Sequence, residues 1–137
     1  MHPRHENSLG ENPFPQWKVF VVDNHPVVRT HLAALIQRDA NLQICGETDV
    51  RAALPLIGQC EPDLVILDVS SERSQGFDLL RQLQLLHPTV RVLALSLHGD
   101  RFHMERAWHA GAAGFLTKQE ASLRVLSAIQ TVLAEKI

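Results

Sequence analysis

The strongest constraint on this chain is a hydrophobic period that switches back and forth five times. Short apolar, β-branched runs alternate with segments whose apolar residues recur at helical spacing. Lys18–Val22 (KVFVV) reads as a strand. Pro26–Arg38 reads as a helix, with Val28, Leu32, Leu35 and Ile36 on one side. Gln43–Glu47 is a weaker strand. Asp49–Gln59 is helical but contains Pro55, which should kink the helix or delay its start. Strand Asp63–Asp68 precedes helix Phe77–Leu86, and strand Val90–Ser96 precedes helix Asp100–Ala110. Gly114–Thr117 is a short strand before a last helix at Glu120–Leu133. Such alternation predicts an α/β fold: a doubly wound, five-stranded parallel sheet with right-handed crossovers and helices on both faces. The near-continuous apolar character of the central strands agrees, because such strands are covered on both sides. The chain length of 137 residues suits one domain with a sizeable core.

In an open α/β sheet the ligand site lies beyond the carboxyl ends of the strands, where strand order reverses. The residues at those ends are Asp23 and Asn24 after the first strand and Asp68 after the third. Ser96 follows the fourth and Lys118 the fifth. Singly, each suits a turn or a helix cap. Together they place two acids, an amide, a hydroxyl and an ammonium in one crevice. That set fits phosphoryl transfer onto a carboxylate, which needs a nucleophile, a divalent metal and a fixed cation. Asp23 and Asp68 can supply oxygen ligands to Mg²⁺. Lys118 is the cation, and Ser96 can donate to a phosphoryl oxygen.

Five segments carry a family resemblance: VVDNHPVVR (Val21–Arg29), PDLVILDVS (Pro62–Ser70), Gly76 eight residues beyond Asp68, ALS (Ala94–Ser96) and AGAAGFLTK (Ala110–Lys118). In this order and spacing the chain resembles the receiver domain of two-component response regulators, most closely the NarL/FixJ (LuxR-type) branch, from about Trp17 to Leu133. The resemblance implies a flavodoxin-like (βα)5 fold over residues 17–137 and a cytoplasmic signalling module involved in transcription regulation. It implies phosphorylation of Asp68 by a sensor histidine kinase. It further implies Mg²⁺ held by Asp23, Asn24 and Asp68, with the backbone carbonyl of Ser70 completing the site. Ser96 and Phe115 match the family's hydroxyl–aromatic switch pair. The last two helices with the fifth strand match its output surface, where a homodimer can form.

Three positions depart from the family pattern. Asn24 replaces a second acid at the position that ligates metal directly, so Mg²⁺ binding is expected to be weak. An uncharged residue there also relaxes the repulsion that clustered carboxylates feel without metal. Glu72 stands where proline is common, in a polar loop from Ser70 to Gln75 that is expected to be looser. Gln119 follows Lys118 where proline is frequent, so a trans bond is expected. These departures keep open a pseudo-receiver, a module that binds proteins without phosphorylation. An enzyme is the remaining alternative. A dehalogenase-type phosphatase needs a second acid two residues after the nucleophile, where Ser70 stands. A cofactor-binding flavodoxin needs a phosphate-cradling loop in place of Asp23–Pro26.

Charge and composition narrow the partners. A net charge of −2 gives no field for nucleic acid, so no direct nucleic-acid binding is expected. No apolar run is long enough for a bilayer, and the start of the chain lacks a secretory signal. Residues 1–16, with Pro3, Gly10, Pro13 and Pro15, read as a flexible arm. Cys45 and Cys60 read as buried reduced thiols. His25 reads as part of its turn and His98 as a solvated loop residue. Trp108 reads as core or subunit contact. Ile137 lies just past the last helix, which leaves no room for the helix-turn-helix domain that relatives append. A stand-alone receiver and a truncated one both remain open.

Overall fold

The computed structural model describes residues 16–70 and 75–135. Strand and helix alternate as expected: β1 (Trp17–Val22), α1 (Pro26–Ile36), β2 (Leu42–Thr48), α2 (Ala53–Cys60), β3 (Leu64–Asp68), α3 (Gln75–Leu86), β4 (Arg91–Ser96), α4 (Arg101–His109), β5 (Gly114–Thr117) and α5 (Lys118–Ala134). The strands form one parallel sheet in the order β2-β1-β3-β4-β5. From β1 the chain moves to one edge, then crosses back and continues toward the other. The switch point therefore lies between β1 and β3, the strands that end in Val22–Asp23 and Asp68.

The period-2 geometry of the strands divides the core into two layers. Val19 and Val21, Leu64 and Ile66, and Leu93 and Leu95 face α1 and α5, against Leu32, Ile36, Val125 and Ile129. The alternate residues Phe20, Val22, Val65, Leu67, Val92 and Ala94 face the other helices, against Ile57, Phe77, Leu80, Leu83 and Ala107. Arg106 of α4 stacks its guanidinium 4.0 Å over the Phe77 ring, joining α4 to α3.

Several boundaries differ from the sequence expectation, each for a local reason. Helix α2 starts at Ala53, not Asp49, which places Pro55 in its first turn, where a missing N–H costs nothing. Before it, the Asp49 carboxylate accepts the Ala52 amide at 3.0 Å. Helix α5 begins at Lys118, two residues early, because Thr117 and Glu120 form a reciprocal capping box. Strand β2 is longer than expected and carries a bulge. Ile44 pairs with Val19 and Gly46 with Phe20, so Cys45 is the extra residue. A Cβ on Gly46 would lie 2.5 Å from the Phe20 ring.

Both cysteines are free and half-buried, not buried as expected. The Cys60 thiol donates to the Cys45 carbonyl at 3.1 Å. Burial, then contact with Cys60, pushes the Cys45 thiol up to about 12. Trp108 is exposed on α4, not a core residue. The Lys118–Gln119 bond is trans. The expectations for Glu72 and for the arm at 1–16, apart from Gln16, fall outside the described residues.

Candidate functional site

The carboxyl ends of β1, β3 and β4 bring three polar side chains into the buried interior: Asp23, Asp68 and Ser96. Strand β5 and the start of α5 add Lys118. Its ammonium lies 2.8 Å from Asp23 Oδ2 and 3.1 Å from Asp68 Oδ2, bridging the two acids. A cation in the first turn of a helix opposes the helix dipole. Two buried carboxylates offset that cost and hold Lys118 in place.

Each acid is further fixed by its own chain. Asp68 Oδ1 accepts the Ser70 amide at 2.9 Å and the Ser70 hydroxyl at 2.5 Å. Asp23 Oδ1 accepts the His25 amide at 2.9 Å and contacts His25 Nδ1 at 3.0 Å. Asp23 Oδ2 is buried and makes no hydrogen bond among the described residues; Lys118 meets it as an ion pair. The Asp23 carbonyl accepts Arg29 Nη1 at 2.6 Å, and Arg29 Nε donates to Glu47 on β2 at 2.5 Å. This anchors the β1–α1 turn to the neighbouring strand.

Gly76 shows why the spacing from Asp68 matters. A Cβ there would sit 2.3 Å from the Asp68 carbonyl oxygen and 2.7 Å from Val69 Cα, so only glycine lets α3 start so close to the acid.

Asn24 sits next to Asp23, but its Oδ1 accepts the Val50 amide at 2.9 Å and so faces the β2–α2 connection. Ser96 is fully buried, and its Oγ accepts the His98 amide at 3.0 Å. Phe115 pairs with Ala94 across β4 and β5 and is half-buried against the core on the α2, α3 and α4 side. Ser96 lies two residues beyond Ala94, on the same face. The hydroxyl and the ring therefore share one side of the sheet. His98 is exposed as expected, although its ring stacks on His103 at 4.6 Å.

The sequence reading placed His25 only in its turn and named Ser70 only for its carbonyl. His25 belongs with Asp23 and Asp68 in a cluster whose candidate ligand atoms all lie within 4.8 Å of one another. Beyond the carbonyl role expected of it, Ser70 holds the Asp68 carboxylate through its hydroxyl and amide. The signal available was the Asp-x-Ser spacing, because such side chains commonly bond the backbone two residues away.

Known proteins resemble this chain in sequence and fold. The family model for the response regulator receiver domain matches residues 19–130. A fimbriae Z protein from Salmonella typhimurium is 32% identical over 117 residues, covering 85% of this chain and 56% of the relative. A transcriptional regulatory protein, MctR, from Rhizobium johnstonii is 29% identical over 119 residues, covering 86% and 56%. The chain thus spans about half the length of these curated relatives. A crystal structure of a LuxR-family two-component response regulator from Aurantimonas superposes with a TM-score of 0.81 at 27% identity, covering 88% of this chain and 86% of that one.

Proposed function

The chain belongs to the response-regulator receiver-domain family, and from that premise we propose that Asp68 is its phosphoacceptor, serving a sensor histidine kinase in the cytoplasm. The observation that carries this reading is the bridge from Lys118 to two buried carboxylates at the sheet's switch point. It supplies a nucleophile and a fixed cation where the fold places ligands. The protein is a regulatory module, and the chemistry it takes part in is a single transfer.

In that transfer an Asp68 oxygen attacks the phosphorus of a phosphohistidine. The P–O bond forms as the P–N bond breaks, and the departing imidazole takes a proton from solvent. Ser70 holds Oδ1, which leaves Oδ2 to attack once Lys118 moves from the carboxylates to the phosphoryl oxygens. Ser96 donates its hydroxyl to a second phosphoryl oxygen. Receiver domains generally bind Mg²⁺ at this acidic pocket, and the residues here fit one, because the Asp23 and Asp68 carboxylates converge with candidate ligand atoms within 4.8 Å. Asp23 and Asp68 would hold the ion with the Ser70 carbonyl and the remaining lone pair of the Asn24 amide. Bound there, Mg²⁺ neutralises charge that develops on the phosphoryl oxygens. Its affinity is weak because Asn24 brings no charge.

A second reading, the pseudo-receiver, is favoured by one observation: Asn24 Oδ1 already serves the Val50 amide. Acetyl phosphate with Mg²⁺, followed by mass spectrometry, separates the two. A phosphoryl adduct on the wild type that vanishes in Asp68→Asn supports the phosphoacceptor. A wild type that stays unlabelled supports the pseudo-receiver.

A further inference from the structure

We propose that Cys45 and Cys60 form an oxidative modification site, which closes to a disulfide when the folded protein meets a small disulfide such as oxidised glutathione. The site lies on β2 and α2 and does not depend on the reading of Asp68. Cys45 is the extra residue of the β2 bulge, and Cys60 ends α2. They are the two cysteines of the chain.

Three observations bring the thiols together. The Cys60 thiol donates to the Cys45 carbonyl at 3.1 Å, so its sulfur rests on the main chain of its partner. A Cβ on Gly46 would lie 3.4 Å from the same sulfur, which puts that sulfur over the Cys45–Gly46 peptide. Both side chains pack against the same core layer, and the two thiols are in hydrogen-bond contact. A disulfide needs Cα atoms within about 7 Å and side chains that point toward each other. A sulfur resting on its partner's carbonyl, with both side chains on one face, fits that requirement.

The chemistry is thiol–disulfide exchange. Both thiols are half-buried, so a small reagent reaches them. Burial, then contact with Cys60, pushes the Cys45 thiol up to about 12, which makes it a poor first nucleophile at neutral pH. Cys60 therefore attacks first. Its thiolate sulfur bonds to one sulfur of the reagent, and the other half leaves as a thiolate. Cys45 then gives its proton to solvent and attacks the Cys60 sulfur, releasing the second thiolate. Its contact with Cys60 offsets its small fraction of thiolate. The chain loses two hydrogens and two electrons, and one small disulfide becomes two thiols. The ring that closes contains Glu47, which pairs with Arg29, and Val50, whose amide binds Asn24. Both contacts brace the turn that carries Asp23, so oxidation fastens the support of that turn.

The test incubates the folded chain with oxidised glutathione at neutral pH and reads its intact mass. The expected product is a monomer that has lost two hydrogens and regains them with a dithiol reductant. A protein carrying two glutathiones, a disulfide-linked dimer or an unchanged mass overturns the proposal. Sub-denaturing urea should leave the rate unchanged; a rate that climbs with urea means that the thiols meet only in the unfolded chain, which also overturns it. Cys45→Ser should stop at one glutathione on Cys60, and Cys60→Ser should react at least about tenfold more slowly than Cys45→Ser. Equal rates in the two variants overturn the order of attack. In the oxidised wild type, hydrogen exchange at the Val50 amide should be slower than in the reduced protein, and an unchanged rate overturns the bracing of the Asp23 turn.

Discussion

Lys118 shows how a single side chain sets the energy of the site. Without metal, it is the one cation in contact with Asp23 and Asp68 among the described residues, and both acids are almost wholly buried. Removing one partner from a buried ionic cluster leaves uncompensated charge and typically costs about 3–5 kcal/mol. Lys118→Met should therefore lower metal-free stability to urea by about that amount, and Mg²⁺ or Mn²⁺ should restore part of it. Unchanged urea midpoints with and without the ions would show that Lys118 does not compensate the acids. Four strand-end residues mark how legible the site was. Asp23, Asp68, Ser96 and Lys118 each lie at or just past a strand end, so the alternation of strand and helix alone brought them together. His25 and the Ser70 hydroxyl were not legible in that way. Their contacts depend on turn conformation over two residues, which hydrophobic period does not encode.

At the scale of elements, the start of α5 couples the site to helix stability. Thr117 closes β5 and caps α5, accepting the Glu120 amide at 3.1 Å while Glu120 Oε1 accepts the Thr117 amide at 2.9 Å. The Thr117 amide, and after it the Thr117 hydroxyl, which donates to Glu120 Oε1 at 3.0 Å, hold the Glu120 carboxyl below its ordinary value of 4.5. A carboxyl lower in the folded state than in the unfolded chain adds stability above its ordinary value. That stability is lost as pH falls through the folded value. Thr117→Ala should cost about 1 kcal/mol at neutral pH, as lost caps do. The gap between wild type and variant should narrow in acid, read by urea unfolding at about pH 7 and about pH 3. A gap that stays constant would mean Glu120 does not contribute through the cap. The capping box is visible in the sequence as Thr117 followed three residues later by Glu120, yet the helix was placed late because Lys118 and Gln119 carry no apolar signal. The bulge at Cys45 was less legible still. Register between β1 and β2 is a property of two strands, and only Gly46 hinted at the close approach of Phe20.

Across the whole molecule, the question is how an event at Asp68 reaches a surface. Beside Ser96, the β4–α4 connection and α4 expose large apolar side chains: Leu97 at 65%, Phe102 at 69% and Trp108 at 47%. Phe115 lies half-buried on the same side of the sheet, one strand away from Ser96. A phosphoryl group on Asp68 can shift this region only by binding one arrangement better than the other. The differential contact is the Ser96 hydroxyl on a phosphoryl oxygen, a charge-assisted bond worth about 1.5–3 kcal/mol. That changes a population ratio by roughly ten- to a hundredfold, enough to move a balanced equilibrium to one side. On the proposed reading, Ser96 would turn from the His98 amide toward Asp68 to make that bond. The space it leaves would admit the Phe115 ring, and the expected outcome is a new position of α4 against β5 whose apolar residues suit a second copy of the chain. Beryllofluoride, a phosphoryl mimic, should with a divalent cation shift Trp108 emission and raise the mass seen by light scattering toward a dimer. Phe115→Ala should still bind beryllofluoride, followed by fluorine NMR, but leave both readouts unmoved. If the wild type binds beryllofluoride and neither its Trp108 emission nor its mass changes, Ser96 and Phe115 do not form a switch in this protein.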